Sequence, residues 1–129
     1  MNRESGAPDE IAVRMLEAIN ERDYSQISKL CTENIQLRMP PAQVFFGQDG
    51  LREFFHSLER MFPKLTLTAD EIYTGDDYAI VEYEAAGETS TGSPNEALGA
   101  IVLKLDGGRI RSSHLYVDTA QWERLLQAG

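Results

Sequence analysis

The stretch NEALGAIVLKLDGGRIRSSHLYVD, residues 95–118, decides the fold, and TAQWERLLQ, residues 119–127, closes it. Residues 97–105 are apolar at almost every position, with Lys104 the only charge. Such a run reads as a central strand covered on both faces. Asp106-Gly107-Gly108 supplies residues that tolerate the left-handed backbone of a tight reversal. Residues 109–117 return as a second strand, with Ile110, Leu115 and Val117 as its apolar members. Asp118 is a good helix N-cap, and Trp122, Leu125 and Leu126 recur at helical spacing. A short helix over residues 119–127, docked on the sheet, is the expectation.

Upstream, residues 78–88 make another strand. Ala79, Val81, Tyr83 and Ala85 fall on one face, and Ile80, Glu82, Glu84 and Ala86 on the other. Residues 65–73 alternate more loosely, with Gly75-Asp76-Asp77 as the turn between the two. Leu51, Phe54, Phe55, Leu58, Met61 and Phe62 give a third helix a broad apolar face, closed by Pro63. Val44-Phe45-Phe46-Gly47 reads as an apolar link leading into it. Ile35, Leu37 and Met39 alternate in a short strand that Pro40-Pro41 stops. Before it, Ile27, Leu30 and Cys31 mark a short helix capped by Asp23. Ile11, Met15, Leu16 and Ile19 mark a first helix that starts at Pro8 and ends near Arg22. Residues 1–7 read as a frayed polar tail and residues 90–94 as a loop.

Helices at the front and hairpins behind define an α+β class in a single domain over residues 1–129. A long twisted sheet with helices on one face makes a cone, whose open end is a natural small-molecule pocket.

Twelve Lys plus Arg against twenty-one Asp plus Glu give a net charge of −9. That balance opposes binding to nucleic acid or to an anionic membrane, which need clustered positive charge. No apolar run spans a bilayer, and residues 1–10 are too polar for a signal peptide, so a cytoplasmic location is expected. Cys31 ends an apolar stripe and reads as a buried, inert thiol rather than a nucleophile. His56 and His114 lack a second His or Cys at ligand spacing, so no metal is expected.

Three segments in order carry a resemblance: Ala18-Ile19-Asn20-Glu21-Arg22-Asp23 with Ile27, Phe46-Gly47-Gln48-Asp49-Gly50-Leu51, and Gly107-Gly108-Arg109-Ile110 running to Tyr116-Val117-Asp118. Through them the chain resembles the nuclear-transport-factor-2-like superfamily in its SnoaL-like, polyketide cyclase-like branch, from Ile11 to Leu126. The resemblance implies a strongly bent mixed or antiparallel sheet wrapped around the N-terminal helices, a cystatin-like α+β barrel. It also implies pairing through the outer sheet face. Ketosteroid isomerases of the superfamily carry a tyrosine, an aspartate base and an acid where this chain has Met15, Met39 and Ile101. The aspartate of its cyclases and epoxide hydrolases matches Leu115. The resemblance thus brings no proton-transfer group with it, and no residue is assigned as catalytic.

The expected ligand pocket comprises Met15, Ile19, Met39, Phe46, Phe54, Leu58, Val81, Tyr83, Ile101, Leu103, Ser113, Leu115 and Val117. Tyr83 and Ser113 are its polar members and the candidates for a catalytic role, orienting a substrate carbonyl while apolar walls exclude water. A buried Tyr83 phenol needs a partner, which is either a ligand carbonyl or a backbone carbonyl. Ser113 has no adjacent base to make it nucleophilic. His114 and Tyr116 are expected on the outer face, as are Arg38, Glu82 and Glu84 in opposite-charge pairs across strands. Two functions fit. One is a cofactor-free cyclase, isomerase, hydrolase or lyase acting on a polyketide-like or cyclic carbonyl compound. The other is a non-catalytic module for binding a small hydrophobic molecule or for dimerisation. A homodimer is expected through the outer face, with Ile80, Val102 and Tyr116.

Overall fold

Ile11, Ala12, Met15, Leu16, Ala18 and Ile19 recur on one side of helix α1 (Pro8–Glu21), and all six are buried. The computed structural model describes residues 7–39, 43–61, 64–88 and 94–117. Arg22, at φ 60°, ends α1 in a left-handed turn whose N–H reaches the Ala18 and Ile19 carbonyls. The Asp23 carboxylate then accepts from the Gln26 N–H at 3.1 Å and caps α2 (Tyr24–Leu30). There follow β1 (Cys31–Met39), β2 (Gln43–Phe46), α3 (Gly47–Met61), β3 (Thr66–Thr74), β4 (Tyr78–Glu88), β5 (Pro94–Asp106) and β6 (Arg109–Val117).

The six strands form one sheet in the order β2-β1-β6-β5-β4-β3. Strands β3 to β6 pair antiparallel in succession, and β1 lies parallel to β6, so the sheet is mixed. It does not close, leaving β2 and β3 as edges. Register shifts at Cys31/Gln36, Ala69/Glu71 and Lys104/Leu105 bend it. The β5–β6 reversal uses Gly107 and Gly108 at φ 60° and 80°, the positive angles expected of Asp-Gly-Gly. Helix α1 packs on β3 and β4 while α3 packs on β1 and β2, so both cover the concave face. Ile35, Leu51, Val81, Leu103 and Ile110 are sealed between these layers. The result is the α+β cone.

Three expectations are corrected. β1 starts at Cys31 rather than Ile35: Cys31 already pairs with Ile110 of β6, and after an irregularity the ladder resumes at Gln36↔Ser112. The expected apolar link before α3 contains strand β2, held by four antiparallel pairings from Gln36↔Phe46 to Met39↔Gln43. β5 is covered on one face only: Ala97, Ile101, Leu103 and Leu105 are buried, whereas Leu98 is 55% exposed. The expected C-terminal helix with its Asp118 cap, the tail over residues 1–6, the Pro40-Pro41 stop and the loop over residues 90–93 lie outside the described residues.

Candidate functional site

The concave face and the helices enclose an apolar cavity of about 70 Å³. Helix α1 contributes Met15 and Ile19; α3 contributes Leu51, Phe54, Phe55 and Leu58; the strands contribute Leu37, Leu67, Tyr83, Ala85, Ile101, Ser113 and Leu115. Aromatic contacts shape the α3 wall. Phe45 meets Phe54 edge-on at 5.6 Å between ring centres, and Phe54 meets Phe55 at 5.0 Å.

Of the expected pocket residues, Met15, Ile19, Phe54, Leu58, Tyr83, Ile101, Ser113 and Leu115 stand on the cavity wall. Val81 and Leu103 point inward but are wholly buried in packing. Met39 is buried beyond the wall, and half-buried Val117 packs against the core edge. Phe46 is a correction. It is 65% exposed and lies on the outer face, because β2 pairs Phe45 with inward Leu37 and Phe46 with Gln36. Phe45 packs inward in its place. Ile27, Cys31, Ile35, Leu65 and Ile110 also line the cavity, and like Leu37, Leu51, Phe55, Leu67 and Ala85 they were not among the expected pocket residues. Their signal was ordinary apolar periodicity, shared with every core residue.

The polar side chains on the wall are Cys31, Tyr83 and Ser113. Cys31 is buried, and burial pushes its thiol up to about 12, so it stays protonated and unreactive at neutral pH. Tyr83 is 3% exposed, and burial also raises its phenol above the usual range. Its hydroxyl has no hydrogen-bond partner among the described residues. Nor is it fully sealed off, since among the described residues no fully enclosed side-chain nitrogen or oxygen lacks a partner; the Tyr83 side chain stands on the cavity wall. Tyr83 pairs with Gly99 on β5, whereas Ser113 pairs with Leu103, four residues further along. At about 3.3 Å per residue those rows are roughly 13 Å apart, so the two hydroxyls do not converge on one atom. A cavity this apolar offers a water too few partners to hold it well.

The outer face is different in kind. A groove there is lined by Arg38, Lys104, Arg109, Arg111, His114, Tyr116 and Phe46, among others. The His114 and Tyr116 rings stack at 4.2 Å, with Nδ1 and the hydroxyl 3.1 Å apart. Glu82 does not face a cation across the strands, as expected, but stands opposite Glu71. It accepts from the Tyr73 hydroxyl at 3.1 Å, which with its charge holds that phenol above its usual pKa. Among the described residues no group of His, Cys, Asp and Glu is placed to hold a metal. No described helix is long and apolar enough to cross a membrane.

An open, bent sheet closed by helices around an apolar hollow is the architecture of the nuclear-transport-factor-2-like proteins. The sequence model of the SnoaL-like domain matches residues 12–113, and the chain belongs to that family. No curated protein matches it. Solved structures share the fold at low identity. A candidate SnoaL-like polyketide cyclase from Jannaschia sp. CCS1 superposes with a TM-score of 0.86 at 13% identity, covering 100% of this chain and 98% of that one. TerC, co-crystallised with polyporic acid, gives 0.86 at 15% identity over 94% and 99%. A protein of unknown function from Burkholderia pseudomallei K96243 gives 0.87 at 17% identity over 94% and 98%.

Proposed function

We propose that this chain binds a small hydrophobic cyclic carbonyl compound in the inner cavity, with the Tyr83 hydroxyl donating to the carbonyl oxygen. The observation that carries this reading is Tyr83, a buried residue of a largely apolar wall whose hydroxyl has no partner among the described residues. An unpaired buried hydroxyl costs about 1–3 kcal/mol, which a carbonyl ligand relieves and a water in so apolar a hollow does not. The cavity is about 70 Å³, smaller than the roughly 150 Å³ that takes a benzene. A ring-sized ligand therefore widens it, and the half-buried Phe54, Phe55 and Leu58 of α3 form the wall that yields.

The wall carries no described group that takes up a proton at neutral pH, which favours binding over acid–base catalysis. A second reading, a cofactor-free cyclase or isomerase acting on a polyketide-like compound, is favoured by one feature. A fixed donor in a dry site is also how an enolate oxygen is stabilised. The name of one structural relative, a candidate polyketide cyclase, supports the same substrate class.

Native mass spectrometry with a panel of ring ketones tests the first reading. A one-to-one adduct is expected for the wild type and its loss in Leu115→Asp, where a carboxylate enters the apolar wall. Absence of any adduct, or an undiminished one in the variant, removes it. Turnover of a bound ketone that falls in Tyr83→Phe would favour the second.

The outer face, with Val102, Ile80 and Tyr116, is the surface through which the chain forms a homodimer in this reading. Of the large apolar side chains exposed among the described residues, only Val13 lies off the sheet's outer face.

A further inference from the structure

Gly99 is a glycine because of space and not because of its backbone. Among the described glycines only Gly47, Gly107 and Gly108 have positive φ, and Gly99 lies in regular strand between Tyr83 of β4 and Val117 of β6. A Cβ at Gly99 would stand 2.5 Å from the Tyr83 hydroxyl oxygen and 2.7 Å from Cζ, and would strike the Tyr116 backbone carbonyl. The tip of the Tyr83 ring thus occupies the volume that a side chain at position 99 would fill. The hydroxyl comes to rest across β5 at Gly99, one inward position before Ile101, whose side chain stands on the cavity wall with those of Tyr83 and Leu115.

From this geometry we infer that Gly99 is a positioning residue that sets ligand specificity. By leaving that volume empty it fixes the Tyr83 hydroxyl where it selects a cyclic ketone over a hydrocarbon of the same shape. The inference rests on the reading of the cavity as a ligand site. A ketone oxygen accepts the Tyr83 O–H, and a hydrocarbon leaves it unpaired. With a side chain at position 99 the phenol must tilt off β5, and the donor leaves the position that a ring seated against Ile101 and Leu115 presents to it. Apolar contact is then largely kept while the distinction between ketone and hydrocarbon is lost.

The test is calorimetric titration of the full chain with 1-indanone and with indane. It uses the wild type, Tyr83→Phe, Gly99→Ala and the double variant. In Tyr83→Phe the ratio of the two affinities should move about tenfold toward the hydrocarbon, the value of one neutral hydrogen bond. Gly99→Ala should move it by a similar factor, and the double variant no further than either. A merely structural glycine would weaken both ligands alike and leave the ratio in place. A ketone preference that survives Gly99→Ala, or that falls by the product of the two factors in the double variant, overturns the inference and leaves the pocket standing. A wild type that binds neither compound removes the pocket reading, and this inference with it. Should Gly99→Ala fail to fold, Gly99→Ala/Tyr83→Ala decides. Recovery of the native far-ultraviolet spectrum assigns the constraint to the Tyr83 contact; no recovery assigns it to the Tyr116 carbonyl and overturns the inference.

Discussion

The Asn20 side chain pairs in both directions with the backbone of Leu67. Its Nδ2 donates to the Leu67 carbonyl at 2.9 Å, and its Oδ1 accepts from the Leu67 N–H at 2.8 Å. Helix α1 therefore meets the edge strand β3 as another strand would, occupying backbone groups that an edge otherwise leaves open. The Arg22 guanidinium reaches the Leu65 carbonyl at 3.0 Å on the same edge. Leu65 and Leu67 both line the cavity, so this seam holds one of its walls.

Asn20→Ala removes both bonds and leaves a part-buried N–H and C=O unpaired. A loss of about 1–3 kcal/mol is expected, read as a lower urea midpoint with an unchanged m-value. A midpoint equal to the wild type's would mean that the edge is held by packing alone.

Phe45 and Phe46 should respond in opposite ways. Phe45 supports the α3 wall through Phe54, so Phe45→Ala should cost about 2 kcal/mol or more. Phe46 is 65% exposed, and Phe46→Ala should stay within about 0.5 kcal/mol at protein concentrations too low for association. Equal losses in chemical denaturation would contradict the register of β2.

That pair also marks where the sequence stops being legible. In β4 the inward residues are Ala79, Val81, Tyr83 and Ala85, and they alternate with Glu82 and Glu84, so polarity states the phase outright. In β2, two adjacent phenylalanines in a strand of four residues carry no alternation, and only pairing with β1 decides which faces in. The parallel β1–β6 contact joins segments more than seventy residues apart and leaves no local pattern. Val81 and Leu103 were in the right phase for the site, yet whether an inward residue touches a hollow or another side chain depends on depth. Gly99 was legible only as a small residue in a strand. Its meaning comes from Tyr83 on the next strand and Tyr116 beyond.

Alkaline pH should destabilise the fold partly through Cys31. Burial raises its thiol from 9.0 to about 12, so the folded state holds a proton that the unfolded chain releases first. The resulting stability is complete below pH 9 and is lost as the pH rises toward 12. Over that window the wild type should lose about 1.4 kcal/mol per pH unit more than Cys31→Ala. The raised Tyr83 phenol acts in the same direction in both proteins, so it drops out of the difference. Parallel stability profiles for the two proteins between pH 9 and 12 would refute the assignment.

The proposed dimer has a charge register that can be checked. On the outer face, Arg38, His114 and Arg111 lie on the β1–β6 side, and Glu71 and Glu82 on the β3–β4 side. Between them β5 presents Leu98, Ala100 and Val102. A two-fold axis along β5 would lay the β6 side of one copy over the β4 side of the other, so cations meet carboxylates around an apolar seam. The Glu71–Glu82 pair, two like charges on adjacent strands, would gain most from such a neighbour. Sedimentation at micromolar concentration should show a dimer that weakens as salt is raised, because pairs at the rim of the seam are screened. Val102→Glu should give a monomer by placing a charge on the axis. Arg38→Glu should weaken the dimer, and adding Glu71→Lys in the same chain should restore part of it if the two meet across the axis. A wild-type monomer at that concentration would rule out the dimer, and a dimer indifferent to both charge reversals would rule out this register.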